Sequence, residues 1–258
     1  PRLTLVSDIH NNALVLPTLE RVTAGGPLFV AGDLTDRGTP LEARLTRDVA
    51  AIGRPTVFVA GNHDSRTLSR ALARAGAIVL TRHGRLRADG SYGRRVVTVA
   101  GLRVAGYDDP FMRRDGGRER NRGNGEPEPT PAMRAAFAAW FASVEDAVDV
   151  VMVHTPALVE PVLRRLRATP PDHPIAFLVG HTHEPDLRTQ ARVVLLNGGT
   201  AGGGGITNLT EQRPIGIAQL RYRLRQGFLP LAADIVTVDP GDGDATARHE
   251  RLDLSAAR

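Results

Sequence analysis

Short continuous apolar runs alternate with amphipathic stretches through the first third of the chain. "LTLVS" (3–7), "PLFVAGD" (27–33) and "PTVFVAGNHD" (55–64) read as strands buried on both faces. "ALVLPTLERV" and the stretches near 40–52 and 65–75 carry apolar residues at helical spacing. Asn11 or Asn12 stands where the first of these helices needs an N-cap. This β-α-β-α-β order predicts a sheet with parallel crossovers.

Beyond Ala77 the pattern changes. "RRVVTVAGLRVAGY" (94–107) predicts a hairpin of two strands. Residues 108–131 are polar, rich in Gly, Pro and Arg, and without apolar periodicity, which predicts a long mobile loop. Helical periodicity returns near 131–144 and 156–168, with strands at 148–154, 175–181 and 191–197. "PIGIAQLRYRL", "LAADIVTVD" and "TARHERLDL" then predict an antiparallel end. There is no internal repeat and no linker. The simplest account is one domain spanning 1–258, an α/β fold of two facing mixed sheets with outer helices.

Composition narrows this picture. The 258 residues are 41% hydrophobic and 24% charged, ordinary for a globular chain. No apolar run reaches the roughly 18–20 residues of a membrane helix. The absence of cysteine excludes thiolate metal sites and thiol catalysis. All 33 basic side chains are arginine, scattered along the chain, as a bias in base composition would produce. The net charge of +5 favours anionic substrates mildly. Aromatic residues are only 4%, so a nucleic-acid surface of basic and stacking side chains is not supported.

The chemistry collects at the ends of the predicted strands. "SDIH" places Asp8 and His10 after the first, and "AGDLTDRG" places Asp33 after the second. "AGNHD" places Asn62, His63 and Asp64 after the third; "VMVHT" and "VGHTH" deliver His154, His181 and His183. In open α/β sheets, sites form at the carboxyl ends of strands. Five of the eight histidines lie in these segments, far more than turn chemistry alone would put at one edge. If the strand persists through "GHTH", His181 and His183 point to one spot, since positions two apart share a face. Oxygen and imidazole donors without sulfur suit Mn²⁺, Fe or Zn²⁺. The donors are too many for one ion with an open position; two ions about 3.5–4 Å apart would absorb them.

The series D-x-H, GD-x-x-D-R-G, G-N-H-D, H, G-H-x-H resembles the calcineurin-like metallophosphoesterase superfamily, in a bacterial, phosphodiesterase-like branch. The resemblance implies a four-layer α/β/β/α sandwich with two divalent metal ions at its top. Carried over, Asp8, His10 and His183 would hold one ion, Asn62, His154 and His181 the other, and Asp33 would bridge them. His63 would be the acid beside the metals, and Asp64 would orient it. Adjacent side chains diverge, so His63 is not a ligand if Asn62 is one. The implied activity is hydrolysis of a small-molecule phosphate ester, a phosphodiester above all, by a metal-bridging hydroxide. A phosphomonoesterase or phosphoprotein phosphatase is the alternative, and a ligand-depleted scaffold on the same fold the other. "GDLTDRG" is worded as in phosphoprotein phosphatases, but GNHD departs from their usual GNHE. Asp36 and Arg37 therefore read as a structural pair in a turn. "GGTAGGGG" (198–205) reads as a flexible turn rimming the site, 106–125 as a candidate lid, and His83, His173 and His249 as surface residues. The chain begins at Pro1, which leaves room upstream for the membrane anchor some bacterial relatives carry; the expected location is cytoplasmic.

Overall fold

The computed structural model describes residues 1–113, 128–204, 213–239 and 241–254. Strands β1 (Arg2–Val6), β2 (Leu28–Ala31), β3 (Thr56–Val59) and β4 (Ile78–Thr81) run parallel and adjacent. Helices α1 (Leu16–Thr23), α2 (Leu45–Ile52) and α3 (Arg66–Arg74) form their crossovers. Asn12 caps the 3₁₀ turn that leads into α1, its side chain accepting from Leu14 N. Ser65 caps α3 by accepting from Leu68 N. The polar edge strand β5 (Gly84–Leu86) pairs antiparallel with β4.

The second sheet is built from β6 (Val97–Val99), β7 (Leu102–Tyr107), β8 (Val150–Val153), β9 (Ile175–Val179), β10 (Pro185–Gln190) and β11 (Val193–Gly198). Helices α4 (Pro131–Ala142) and α5 (Glu160–Ala168) cover it. Strands β12 (Ile215–Arg223), β13 (Leu229–Val238) and β14 (Ala245–Arg251) return antiparallel to β1. Among the described residues the sheet orders are β14-β13-β12-β1-β2-β3-β4-β5 and β10-β11-β9-β8-β7-β6.

The layering follows from side-chain alternation. In β2, Phe29 and Ala31 face the second sheet while Leu28 and Val30 face helices α1–α3. In β8, Val150 and Met152 face the first sheet while Val151 and Val153 pack with Phe137 and Phe141 of α4. One apolar layer lies between the sheets and one under each helical face, giving the expected four-layer α/β/β/α arrangement. Strands buried on both faces have no polar side to display, which is why they appear in the sequence as unbroken apolar runs.

Three strands do not stand out in the sequence. β4 and β5 fall between the third helix and the 94–107 hairpin, too short for any period to show. β10, "PDLRTQ", is a half-exposed edge held by backbone pairing to β11, with no apolar stripe to mark it. Of the stretch read as a mobile loop, 114–127 lie outside the described residues, and with them most of the candidate lid. Residues 108–113 are anchored: Asp109 N donates to Ala60 O and Arg113 N to Asp64 O. Among the described residues no helix is long and apolar enough to cross a membrane.

Phe29 is fully buried in the layer between the sheets. Phe29→Ala is expected to lower unfolding stability by about 3–5 kcal/mol, measured by denaturant titration; a loss under about 1 kcal/mol would mean the two sheets are not packed as described.

Candidate metal centre

The parallel strands end together, and β1, β2 and β9 give way to tight, strained turns. Asp8 (φ 54°), His10 (φ 47°), Asp33 (φ 53°), His181 (φ 73°) and His183 (φ 59°) all adopt the left-handed region. That region is uncommon for non-glycine residues and gathers at functional sites. The expectation that His181 and His183 share a spot through extended geometry is overturned. The strand stops at Val179, and the left-handed turns send the two rings to different partners.

Two groups of ligand-type atoms result, each within 4.8 Å of its fellows: Asp8, His10 and His183, and Asp33, His154 and His181. Asp8 Oδ1 lies 3.3 Å from His183 Nε2 and 3.8 Å from His10 Nε2. Asp33 Oδ2 lies 3.1 Å from His154 Nε2 and 4.0 Å from His10 Nε2, and Asp8 Oδ1 lies 4.0 Å from His154 Nε2, so the two carboxylates stand between the groups. Asn62 Oδ1 joins the second group, 3.0 Å from His154 Nε2 and 3.1 Å from His181 Nδ1. All seven residues singled out from the sequence as ligands therefore meet.

Each aspartate divides its oxygens. Asp8 Oδ2 accepts from His181 N (3.0 Å) and Asp33 Oδ1 from His63 N (2.8 Å). The other oxygen of each faces the imidazoles. The rings are oriented from behind: His154 Nδ1 donates to Ala31 O at 2.7 Å, and His10 Nδ1 meets Asp36 Oδ1 at 3.0 Å. Hydrogen bonds on the far nitrogen present the near one as a lone pair, the usual support of a metal-binding histidine.

Burial alone would raise the Asp8 and Asp33 carboxyls. His183 and His154 nevertheless hold Asp8 below its ordinary value, and His154 does the same for Asp33. Burial likewise opposes charge on His10 and His154, yet Asp36 and Asp33 raise the first and Asp33 raises the second. His181 moves the other way, lowered by burial and by the charge on His154. Both carboxylates favour positive charge beside them.

Donor chemistry tests whether cations fit. Asp8 Oδ1 and His10 Nε2 are buried without any hydrogen-bond partner, although both point into the cluster. An unpartnered buried polar atom costs about 1–3 kcal/mol, and a shared cation would remove that cost for both. Carboxylate, amide and imidazole donors without sulfur suit Mn²⁺, Fe or Zn²⁺. The residues fit two divalent ions.

Two expectations around the cluster need correction. Asp64 does not reach for His63. It is fully buried, and its carboxylate accepts from the backbone N–H groups of Asp33 (2.7 Å), Gly61 (2.9 Å) and Thr35 (3.2 Å) and from the Thr35 hydroxyl. A side chain one residue from His63 points the opposite way, so Asp64 holds the Asp33 and Gly61 turns together. Burial and the charge on Asp33 push it up to about 6. The partner of His63 Nδ1 is instead the Asp36 carbonyl oxygen at 2.8 Å. Asp36 does not pair with Arg37 either: its carboxylate takes His10 and Asn11. "GDLTDRG" carried that signal, but its aspartate serves a residue 26 positions earlier.

Sequence reasoning also missed the work of "GGTAGGGG". Its described part is packed, not loose: Ala201 N donates to Ser7 O, and Gly202 N and the Thr200 hydroxyl to Asp8 O. A methyl at Gly202 would collide with the Ile9 carbonyl carbon (2.5 Å), so the strained Asp8 turn is clamped by a residue without a side chain. His173 and His249 sit outside the cluster, bonded to Val148 O and Asp234.

The calcineurin-like phosphoesterase family profile matches residues 1–185. No curated protein matches the chain. Among solved structures it is similar to a double mutant of Vps29 from Entamoeba histolytica, at 13% identity and TM-score 0.49, covering 98% of this chain and 100% of that one. It is similar to Vacuolar Protein Sorting 29 from Cryptosporidium parvum, at 14% identity and TM-score 0.46, with 97% of each chain covered. It is also similar to an archaeal phosphodiesterase, at 12% identity and TM-score 0.42, covering 98% of this chain and 100% of that one.

Asp36→Asn removes the carboxylate behind His10. It is expected to weaken one of two bound Mn²⁺ ions by about 10–100-fold and spare the other, read by isothermal titration. Two ions bound as tightly as in the parent protein would show that Asp36 adds nothing to His10 as a ligand.

Proposed function

We propose that this chain, which belongs to the calcineurin-like phosphoesterase family, is a dinuclear metal-dependent phosphohydrolase that acts on phosphodiesters. The carrying observation is the reach of Asp33 Oδ2 into both histidine groups, 3.1 Å from His154 Nε2 and 4.0 Å from His10 Nε2. In this assignment Asp8, His10 and His183 hold one ion, Asn62, His154 and His181 the other, and Asp33 bridges. Two divalent ions bound there would supply Lewis acidity toward a phosphoryl oxygen and a water of lowered pKa.

The remaining work belongs to the protein. Two buried carboxylates leave a pair of divalent ions with a small positive excess. That excess suits a singly charged diester and the charge it gains in its transition state. Several contacts hold His63 beside the cluster. Its N–H donates to Asp33 Oδ1, its Nδ1 to the Asp36 carbonyl, and its ring meets His10 edge-on with centroids 5.1 Å apart. With Nδ1 engaged, Nε2 is the nitrogen that gives a proton to the departing alkoxide. Arg113 Nη2, 3.4 Å from His63 Nδ1, brings a buried guanidinium to the same side, where it favours the anionic substrate. The full complement of ligand side chains, with His63 beside them, weighs against a scaffold that has lost catalysis.

His63→Ala is expected to keep both metal ions and lose about 10²–10⁴-fold in turnover; loss of an ion on elemental analysis would make His63 a ligand instead. Asp33→Asn is expected to deplete both ions together, and depletion of one alone would contradict the bridge. Under Mn²⁺, bis-nitrophenyl phosphate is expected to be hydrolysed faster than the mono-nitrophenyl ester. The reverse order would assign a monoesterase, and no hydrolysis of either by protein carrying two ions would end the enzyme assignment.

A further inference from the structure

A cavity of about 660 Å³, lined by none of the side chains of the metal centre, is linked to it through two residues of its wall. It lies between the start of α3, the β4–β5 hairpin, the end of β7 and the start of α4. Asp109 in its wall accepts from the hydroxyl of Thr155, the neighbour of His154 (2.5 Å). Met112 in the same wall precedes Arg113, whose guanidinium adjoins His63. The volume falls within the range of small-molecule sites, roughly 300–1,000 Å³.

Most polar groups in the wall are already engaged. Arg82 binds Asp108 through Nε and Nη2, both at 3.1 Å, and lies over the Tyr107 ring at 4.6 Å. The Thr81 hydroxyl donates to Gly84 O. Arg66 is different. It lines the cavity from the first position of α3, and among the described residues its side chain has no hydrogen bond or ion pair. A planar guanidinium without a partner is suited to a phosphate or carboxylate fork. The same cavity carries an aromatic surface. His83 and Tyr92 meet at 5.3 Å between centroids, and Tyr92 keeps 42% of its surface exposed. Met112 and Met133 add polarisable thioethers, which make favourable contacts with aromatic rings. The two rings are tilted by 56°, so the exposed face of Tyr92 is the one a planar ligand can stack on. With an unengaged guanidinium in the same cavity, it selects a ligand with a ring and an anion.

We propose that this cavity is a subsite for a nucleotide, its base on the exposed face of Tyr92 beside His83 and its phosphate on Arg66. The subsite deepens the phosphohydrolase assignment and rests on it for the scissile bond: the bound nucleotide would keep its 5′-phosphate on Arg66 and be joined through its 3′-oxygen to the diester phosphate that reacts at the metals. His83, read from the sequence as a surface residue, gains a role, and no group already assigned to the metal centre is needed.

The test is equilibrium binding to the whole chain, so that it does not depend on turnover. Adenosine 5′-monophosphate, ribose 5-phosphate, adenosine and inorganic phosphate are titrated calorimetrically, in EDTA and again with Mn²⁺. Adenosine 5′-monophosphate is expected to bind about tenfold more tightly than ribose 5-phosphate, the share of one stacked base. Tyr92→Ala should erase that difference and weaken adenosine, leaving ribose 5-phosphate unchanged. Arg66→Ala should weaken both phosphates and leave adenosine unchanged. Both residues are exposed, so circular dichroism should show an unaltered fold. Equal binding of adenosine 5′-monophosphate and ribose 5-phosphate would remove the base from the cavity. An unchanged affinity for adenosine 5′-monophosphate in Arg66→Ala would remove the phosphate. Either result overturns the proposal, whereas the nitrophenyl ester assays report separately on hydrolysis.

Discussion

Two aspartates with oxygens buried against imidazole nitrogens set the terms for the rest of the molecule. Asp8 and Asp33 are almost fully sealed from solvent, and each turns one oxygen toward backbone N–H and one toward the histidines. Carboxylates so placed are costly unless positive charge meets them. Among the described residues no lysine or arginine is paired with either; imidazoles converge there instead. An imidazole can supply that charge by holding a proton or can give it up to a cation, and this exchangeability separates a ligand cluster from a structural ion pair.

Holding this arrangement requires backbone that strands and helices do not provide. Left-handed turns at five of the candidate ligand positions each cost free energy, and the surrounding structure has to over-determine them. It does so from three directions. Asp64 pins the Asp33 and Gly61 turns from beneath. The Thr200–Gly202 turn clamps Asp8 from the side. Ala31 and Asp36 fix the rings of His154 and His10 from behind. The close approach of Gly61 to Asp33 belongs to the same design: a methyl there would sit 2.8 Å from the Asp33 carboxyl carbon. The two sheets matter to function chiefly because their parallel strands end at a common edge, with His154 and His181 on one side and Asp8, Asp33 and Asn62 on the other.

Much of this was legible in the residues. Apolar runs located the buried strands, since a strand covered on both faces has no polar side. The two-sheet fold with outer helices followed from their order. Polar side chains at five strand ends marked the candidate ligands, since imidazole and carboxylate rarely gather at one edge without chemistry to do. Less was visible where a contact depends on backbone alone. β10 is held to β11 by main-chain pairing, and "GGTAGGGG" acts through backbone N–H groups and the single Thr200 hydroxyl.

The residue types and their places at strand ends thus determined that a cluster of oxygen and nitrogen donors would form, and at which end of the sheets. Only the tertiary structure decided how those donors divide. His181 and His183 part company because the turn after β9 is left-handed, not extended. Asp64 serves the backbone of Asp33 instead of the ring of His63, because it is buried beneath the turns and points away from its neighbour. Asp36 serves His10 because chain segments far apart in sequence were folded against each other. A local pattern encodes which faces are buried and which atoms are available; which atom meets which is settled by dihedral angles and long-range packing.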